Sequence, residues 1–344
     1  MMGSRGITLQ LSSGRPGLTH SLNFCMKKLL HARIRAIPHS HSTMSKSFIK
    51  VFLLDDSAKT MAIDKEMTAK ELVTIIAEKL ELTDNVEHYS LFEVKGDNYK
   101  SLLDDQKPFD IMSEWGGKDS SNKFVFKRHY FMNPTDDVKE EAAIYLLYIQ
   151  ALDDILKGHL YVTPEQAIQF AGINMQVVYG DHNDRHVLGF LEKHIAEFIP
   201  ASILKSKRVP DWEDAIYEEH QKHKGLSDTE AQSKFLDLAR TLPVYGITTY
   251  PCKYVSAGTR RIGQRVFIGV SSKGIHILNY PTMDGNGFYS YNDILSWGSS
   301  HTSFTFCTGD RVNFTKHSLE TRAGKEITDQ VAGYVGLIIR QLQQ

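Results

Sequence analysis

Three stretches of the sequence carry side chains able to do chemistry. The first, Gly180-Asp181-His182-Asn183-Asp184-Arg185-His186, sets two imidazoles four residues apart with carboxylates beside them. On a helix that spacing would aim both rings at one zinc ion. The leading glycine and the Asn and Asp residues predict a loop instead, where the i, i+4 geometry is lost, and no metal ligand is assigned. The second, Lys205-Ser206-Lys207-Arg208 with Lys193 upstream, is a cationic cluster whose chemistry is attraction to phosphate. The third, Gly258-Thr259-Arg260-Arg261-Ile262-Gly263-Gln264-Arg265, has the outline of a phosphate loop but lacks the Lys-Ser/Thr that would follow its second glycine. It reads as a basic hairpin. Cys25, Cys252 and Cys307 are scattered without metal spacing, which points to a reducing compartment. No nucleophile, base and orienting group stand at recognisable spacing, and no glycine-rich loop leads into a helix. The expectation is a protein without catalytic activity, cofactor or metal.

Composition narrows the classes further. The 344 residues are 41% apolar and 24% charged, enough to bury two or three cores. A formal charge of −1 gives no overall attraction to nucleic acid. The charge is uneven, with net values of +6, −3, −8 and +4 over residues 1–43, 44–132, 133–240 and 241–344. An acidic middle and a basic end make a dipolar molecule that can turn one face to an anionic surface. Residues 1–43 contain six Lys/Arg and no acid, a composition shared with transit peptides. They are expected to be a disordered basic extension, the first globular unit opening near Met44. No apolar run approaches the length of a membrane span.

The elements that must position these side chains follow from periodicity. Residues 141–156 place Ala143, Leu146, Leu147, Ile149, Leu152 and Ile155 at three- and four-residue steps, a helix with a wide apolar face. Thr163-Pro164-Glu165-Gln166 is a capping box with proline at the first helical position, and it starts a second helix. A third apolar run passes from Val187 to Pro200, and Ser227-Asp228-Thr229-Glu230 caps the second member of a helix pair within 211–240. Ahead of this helical unit, Phe48–Leu53, residues 60–64, a helix capped by Thr68 and Glu71, Tyr89–Val94 and Phe124–Phe126 run strand, strand, helix, strand, strand. Behind it, short strands alternate with turns from Tyr245 to Phe314, and Pro251 is expected to shorten the first of them because it has no N–H to donate. Ile327, Val331, Tyr334, Val335 and Ile338 mark a closing helix.

Within this frame YIQALDDILKGHLYVTPEQAIQFAG, GDHND and GFLEK…FIP closely resemble the helical middle lobe of FERM domains of the talin-head type, and the resemblance continues through FLDLARTLPVYGI, SWGSSHTSF and ITDQVAGYVGLII. It implies an α+β, three-lobed fold: a ubiquitin-like roll (44–130), an acyl-CoA-binding-protein-like helical bundle (131–242) and a pleckstrin/PTB-like β-sandwich capped by a C-terminal helix (243–344). It also implies a cytoplasmic adaptor at the plasma membrane, docked on phosphoinositides and reading a receptor-tail or other linear peptide, with a link to the cytoskeleton or signalling. The lipid contacts it implies are Lys193, Lys205, Lys207 and Arg208 in the middle lobe and Lys253, Arg260, Arg261 and Arg265 in the last. The peptide would add as a strand beside Asp293, Ile294, Leu295, Ser296 and Trp297, with Gln330 and Tyr334 on the helix side of the groove. Ser296 replaces an arginine and Pro251 a leucine of the talin-head pattern, so the resemblance implies tail binding in general rather than receptor activation. The alternative is a soluble scaffold in which the ubiquitin-like lobe binds a small GTPase along its second strand, near Lys59 and Lys65. No nucleic-acid partner is expected.

Overall fold

A computed structural model describes residues 47–96, 98–116, 121–133, 138–256, 263–310 and 312–343. The basic extension and the pair Arg260 and Arg261 lie outside the described residues. The chain opens with β1 (Ser47–Phe52), β2 (Ala58–Ile63), α1 (Ala69–Lys79), β3 (Tyr89–Lys95), β4 (Asn98–Ser101), α2 (Pro108–Glu114) and β5 (Lys123–Arg128). The strands form one sheet in the order β2-β1-β5-β3-β4. Only β1 and β5 run parallel within it; the other neighbours are antiparallel. This is a ubiquitin-like roll. The expected capping box starts α1: the Thr68 hydroxyl accepts from the Glu71 N–H, and the Glu71 carboxylate accepts from the Thr68 N–H. Leu72, Val73, Ile76 and Ala77 then turn one apolar stripe onto the sheet. β4 and α2 were not legible in the sequence, being short and polar on their exposed sides.

The helical lobe follows: α3 (Glu141–Leu156), α4 (Pro164–Tyr179), α5 (Ala201–Leu204), α6 (Val209–Gln221) and α7 (Asp228–Arg240). α3 and α4 are buried almost all round, which is why their apolar residues overflow a single stripe. The boxes at Thr163–Gln166 and Ser227–Glu230 both form. Residues 187–200 fold as turns and one short 3₁₀ segment at Ile195–Glu197, so this apolar run is no third long helix. Val187 and Leu188 are in fact exposed, at 59% and 56%.

The last lobe holds β6 (Thr248–Ser256), β7 (Arg265–Ser271), β8 (Gly274–Asn279), β9 (Gly285–Ser290), β10 (Ile294–Ser299), β11 (Ser303–Gly309), β12 (Phe314–Glu320) and α8 (Gly324–Leu342). Its seven strands are ordered β10-β11-β12-β6-β7-β8-β9, every neighbouring pair antiparallel. α8 packs against β10, β11 and β7 and closes the PTB-like sandwich. Pro251 does not shorten β6, which continues through it opposite Phe267. β12 pairs β6 only from Lys253 onward, so no ladder bond requires an N–H at Pro251, and its carbonyl accepts instead from the Thr321 hydroxyl at 3.3 Å.

The three lobes touch one another. Asp55, buried in the turn between β1 and β2, accepts a hydrogen bond from the Tyr145 hydroxyl on α3 and another from the Ser57 hydroxyl at 2.6 Å. The Glu140 carboxylate accepts from the Thr83 N–H at 2.6 Å and from the Asp84 N–H at 3.2 Å. After β5, Tyr130 lies edge-on to Tyr334 of α8 with ring centroids 5.1 Å apart, and the Phe131 N–H donates to the Tyr334 hydroxyl. Between the lobes lies a cavity of about 800 Å³, with Lys127, His129, Gln150, Asp153, Tyr250 and Arg322 on its walls. Burial holds His129 neutral down to about pH 3 and pushes the Asp153 carboxyl up.

Candidate peptide groove and cationic surfaces

β10 is the terminal strand of the seven-stranded sheet, so one row of its backbone groups has no strand neighbour among the described residues. Its pairing with β11 slips by one residue between Ile294 and Ser296, a bulge that turns Leu295 outward, 44% exposed. Trp297 stands opposite Phe306, which is fully buried, so the indole lies on the sheet face covered by α8. It is half-buried and packs on the edge of the core formed by Phe304, Phe306, Ile327 and Val331. An unpaired strand edge beside a helix, with an indole between them, is a site where an extended peptide can add as a further strand while a side chain is held by the ring.

The predicted groove residues divide. Leu295 and Ser296 are exposed and Trp297 is half-buried, all at the open edge. Asp293 is exposed but acts as a cap: its carboxylate accepts from the Ser290 N–H at 3.2 Å and the Ser290 hydroxyl at 2.7 Å. Ile294 belongs to the core at 9% exposure. Gln330 and Tyr334 do not line the groove. Both are buried, Gln330 at 1% and Tyr334 at 0%. The Gln330 amide accepts from the Tyr250 hydroxyl at 2.7 Å and donates to the Thr248 hydroxyl at 2.7 Å. Tyr334 serves the contact with Phe131, where burial raises its phenol far above the usual range. The helical period marks these positions as inward-facing but is blind to which inward flank adjoins the open strand. At 100° per residue the flank away from Gln330 carries Thr328 and Val335, both half-buried.

The cations form two sets. In the helical lobe Lys205, Lys207 and Arg208 occupy the connection between α5 and α6, and Lys193 the loop before α5; all four are exposed. Arg208 is tied to Asp211 by two bonds of 2.9 and 2.7 Å, and this fork holds the Asp211 carboxyl below its usual range. The Lys207 ammonium lies 5.1 Å from the Trp212 ring centroid. In the last lobe Lys253 and Arg265 are directly paired across β6 and β7, so they share the outer sheet face. The Arg265 guanidinium stacks 3.8 Å from the Tyr280 ring centroid. Val187 and Leu188, which begin an apolar run in the sequence, lie exposed rather than in the core. The Tyr217 hydroxyl donates to the Val187 carbonyl at 3.1 Å, and the Glu213 carboxylate of α6 accepts from the Gly189 and Leu191 N–H groups at 2.7 and 2.6 Å.

The same loop holds the second surprise. His182 and His186 do lie in a loop, but His220 of α6 completes a triangle with them, ring centroids 5.2 to 5.5 Å apart. His220 stands 34 residues beyond His186 and no spacing rule joins them. Burial lowers the basicity of His186, and that of His220 to about 4.

A ubiquitin-like roll, a helical bundle and a helix-capped PTB-like sandwich packed in this order define the FERM class, and comparison with known proteins agrees. Three families match consecutive segments: an RA-like domain over residues 45–130, the FERM central domain over 133–250 and a PTB domain of the IRS-1 type over 253–339. The FERM domain of Drosophila Merlin superposes with a TM-score of 0.70 at 19% identity, covering 86% of this chain and 97% of that one. The human Myosin 7b MyTH4-FERM segment, solved with the harmonin-a PDZ3 domain, gives 0.69 at 23% identity over 86% of this chain and 60% of that one. At such identities these structures speak for the fold alone. In sequence, chicken Talin-1 is 28% identical over 324 residues, 85% of this chain, and FERM domain-containing protein C of Dictyostelium discoideum is 27% identical over 305 residues. The chain belongs to the FERM-domain proteins and is talin-like. It spans 12% of the length of Talin-1 and 20% of that of the Dictyostelium protein.

Proposed function

We propose that the chain is a non-catalytic FERM adaptor at the cytoplasmic face of the plasma membrane, binding a receptor-tail or other linear peptide at β10 and docking on phosphoinositides through its two cationic sets. It would thereby join membrane to cytoskeleton or signalling. The observation that carries the reading is the open edge of β10 with a half-buried Trp297 between that edge and α8. Exposed Lys193, Lys205 and Lys207, in the same lobe as the exposed Val187 and Leu188, support the lipid half: cations near an anionic leaflet contribute roughly 1 kcal/mol each, and apolar side chains enter the interface.

Fluorescence anisotropy with a labelled NPxY-type receptor-tail peptide tests the first half. Trp297→Ala is expected to weaken binding by about thirtyfold, the scale of a hot-spot aromatic of roughly 2 kcal/mol. Equal affinity for wild type and variant would refute the groove. For the lipid half, co-sedimentation with phosphoinositide vesicles should fall steeply for the Lys205→Glu, Lys207→Glu double variant and hardly change on neutral vesicles.

A small GTPase at the first lobe is the second reading. It rests on β2 being a free sheet edge and on the RA-like match over 45–130. GTP-dependent retention of a Ras-type GTPase by the immobilised chain would support it over a purely structural lobe.

A further inference from the structure

We propose that His182, His186 and His220 form a binding site for one divalent transition-metal ion, zinc in the first instance, that ties the 180–190 loop to α6. One nitrogen from each ring lies within 4.8 Å of the others. The rings are held by their surroundings: His186 and His220 are 7% and 0% exposed, and Tyr179, Phe190 and Tyr217 pack around them. His182 is half-exposed, which leaves the cluster one side open to solvent.

The hydrogen bonds set out the donor atoms. His220 Nε2 lies 2.8 Å from the Gly180 carbonyl, which can only accept, so Nε2 carries the proton and Nδ1 is left with a bare lone pair. That Nδ1 is buried and has no hydrogen-bond partner among the described residues, and His182 Nδ1 is in the same condition. Two unpartnered imidazole nitrogens in one buried cluster are costly for a fold unless something fills them. An Nε2–H donated to a backbone carbonyl, which leaves Nδ1 as the nitrogen able to ligate, is the outer-shell arrangement that fixes a metal-ligating histidine. Three histidines with an open fourth position suit zinc, whose bonds to imidazole run about 2.0–2.1 Å. Binding requires two adjustments. The rings turn inward by about an ångström, because a tetrahedral ion spaces such nitrogens roughly 3.4 Å apart. His186 also gives up the bond its Nδ1 accepts from the Asn183 N–H at 3.2 Å, whichever of its nitrogens it offers.

The test is zinc chloride titrated into the chelator-treated full chain against a competing chromogenic chelator, with wild type beside His182→Gln and His220→Gln. Sites formed by other histidines cancel in the difference. Wild type is expected to take up one more equivalent of zinc than either variant, and zinc should raise its thermal midpoint by several degrees while leaving that of His182→Gln unmoved. Equal stoichiometry and equal shifts would overturn the proposal. His182→Gln is the informative variant because its side chain is half-exposed. Should both variants misfold, X-ray absorption at the zinc edge on wild type with one equivalent decides. Three imidazole nitrogens support the site, and fewer than three overturn it.

Discussion

Two terminal strands, β2 in the first lobe and β10 in the last, have an edge with no strand neighbour among the described residues, and they differ in what stands beside that edge. Beside β2, the Lys79 ammonium at the end of α1 lies 3.3 Å from the Thr60 carbonyl and takes up part of the edge's hydrogen-bonding capacity. A lysine along an edge is also a common way to discourage strand addition. Beside β10, the α8 helix stands as a second wall, and an indole is left half-covered between wall and edge. An edge alone offers backbone bonds that any extended chain can satisfy. A wall and an anchoring ring add selection by side chain.

The contrast can be broken most forcefully by unseating the wall. A Cβ on Gly333 would fall inside contact distance of the Tyr130 ring and hydroxyl, the residue that seats α8 on the first lobe. Gly333→Ala is expected to cost about 1–3 kcal/mol by overpacking and to weaken tail-peptide binding without touching β10. Chemical denaturation alongside the anisotropy assay checks both. Unchanged stability would mean that Tyr130 does not hold the helix.

Acid probes the same seat. His129 has its pKa depressed to about 3 by burial. A group depressed on folding contributes stability that is present above its unfolded pKa near 6.5 and is lost as pH falls toward the folded value. Between pH 7 and pH 5 this one group should remove roughly 2 kcal/mol, so the thermal midpoint should drop in that window. His129→Gln should flatten the drop. The smallest effect belongs to β2: Lys79→Ala should change stability by under about 0.5 kcal/mol and leave tail-peptide affinity alone. If the variant gains affinity for that peptide, the distinction between the edges fails.

What the sequence shows of this molecule is mostly local. The capping boxes at Thr68, Thr163 and Ser227 are short-range hydrogen-bond patterns, and each forms as read. The closing helix is found from its period, with Ile327, Val331 and Tyr334 fully buried. The period could not say that Gln330 and Tyr334 look toward β6 and the first lobe rather than toward β10, because that depends on how α8 crosses the sheet. Pro251 leaves β6 intact for a similar reason: its missing donor matters only if the neighbouring strand pairs there, and the β12 ladder begins at Lys253. His220 joins His182 and His186 only because α6 packs beside the loop, a relation no spacing along the chain encodes.

One buried apolar network runs from Ile49 in β1 through the helical bundle and reaches Leu278 and Met283 at the near side of the last lobe, while the interior of the sandwich is a separate network built around Phe304, Phe306 and Val331. The roll and the bundle therefore share their interior and cannot come apart without exposing it. Scanning calorimetry of the chain should accordingly resolve two cooperative melting units where the family's lobe count suggests three.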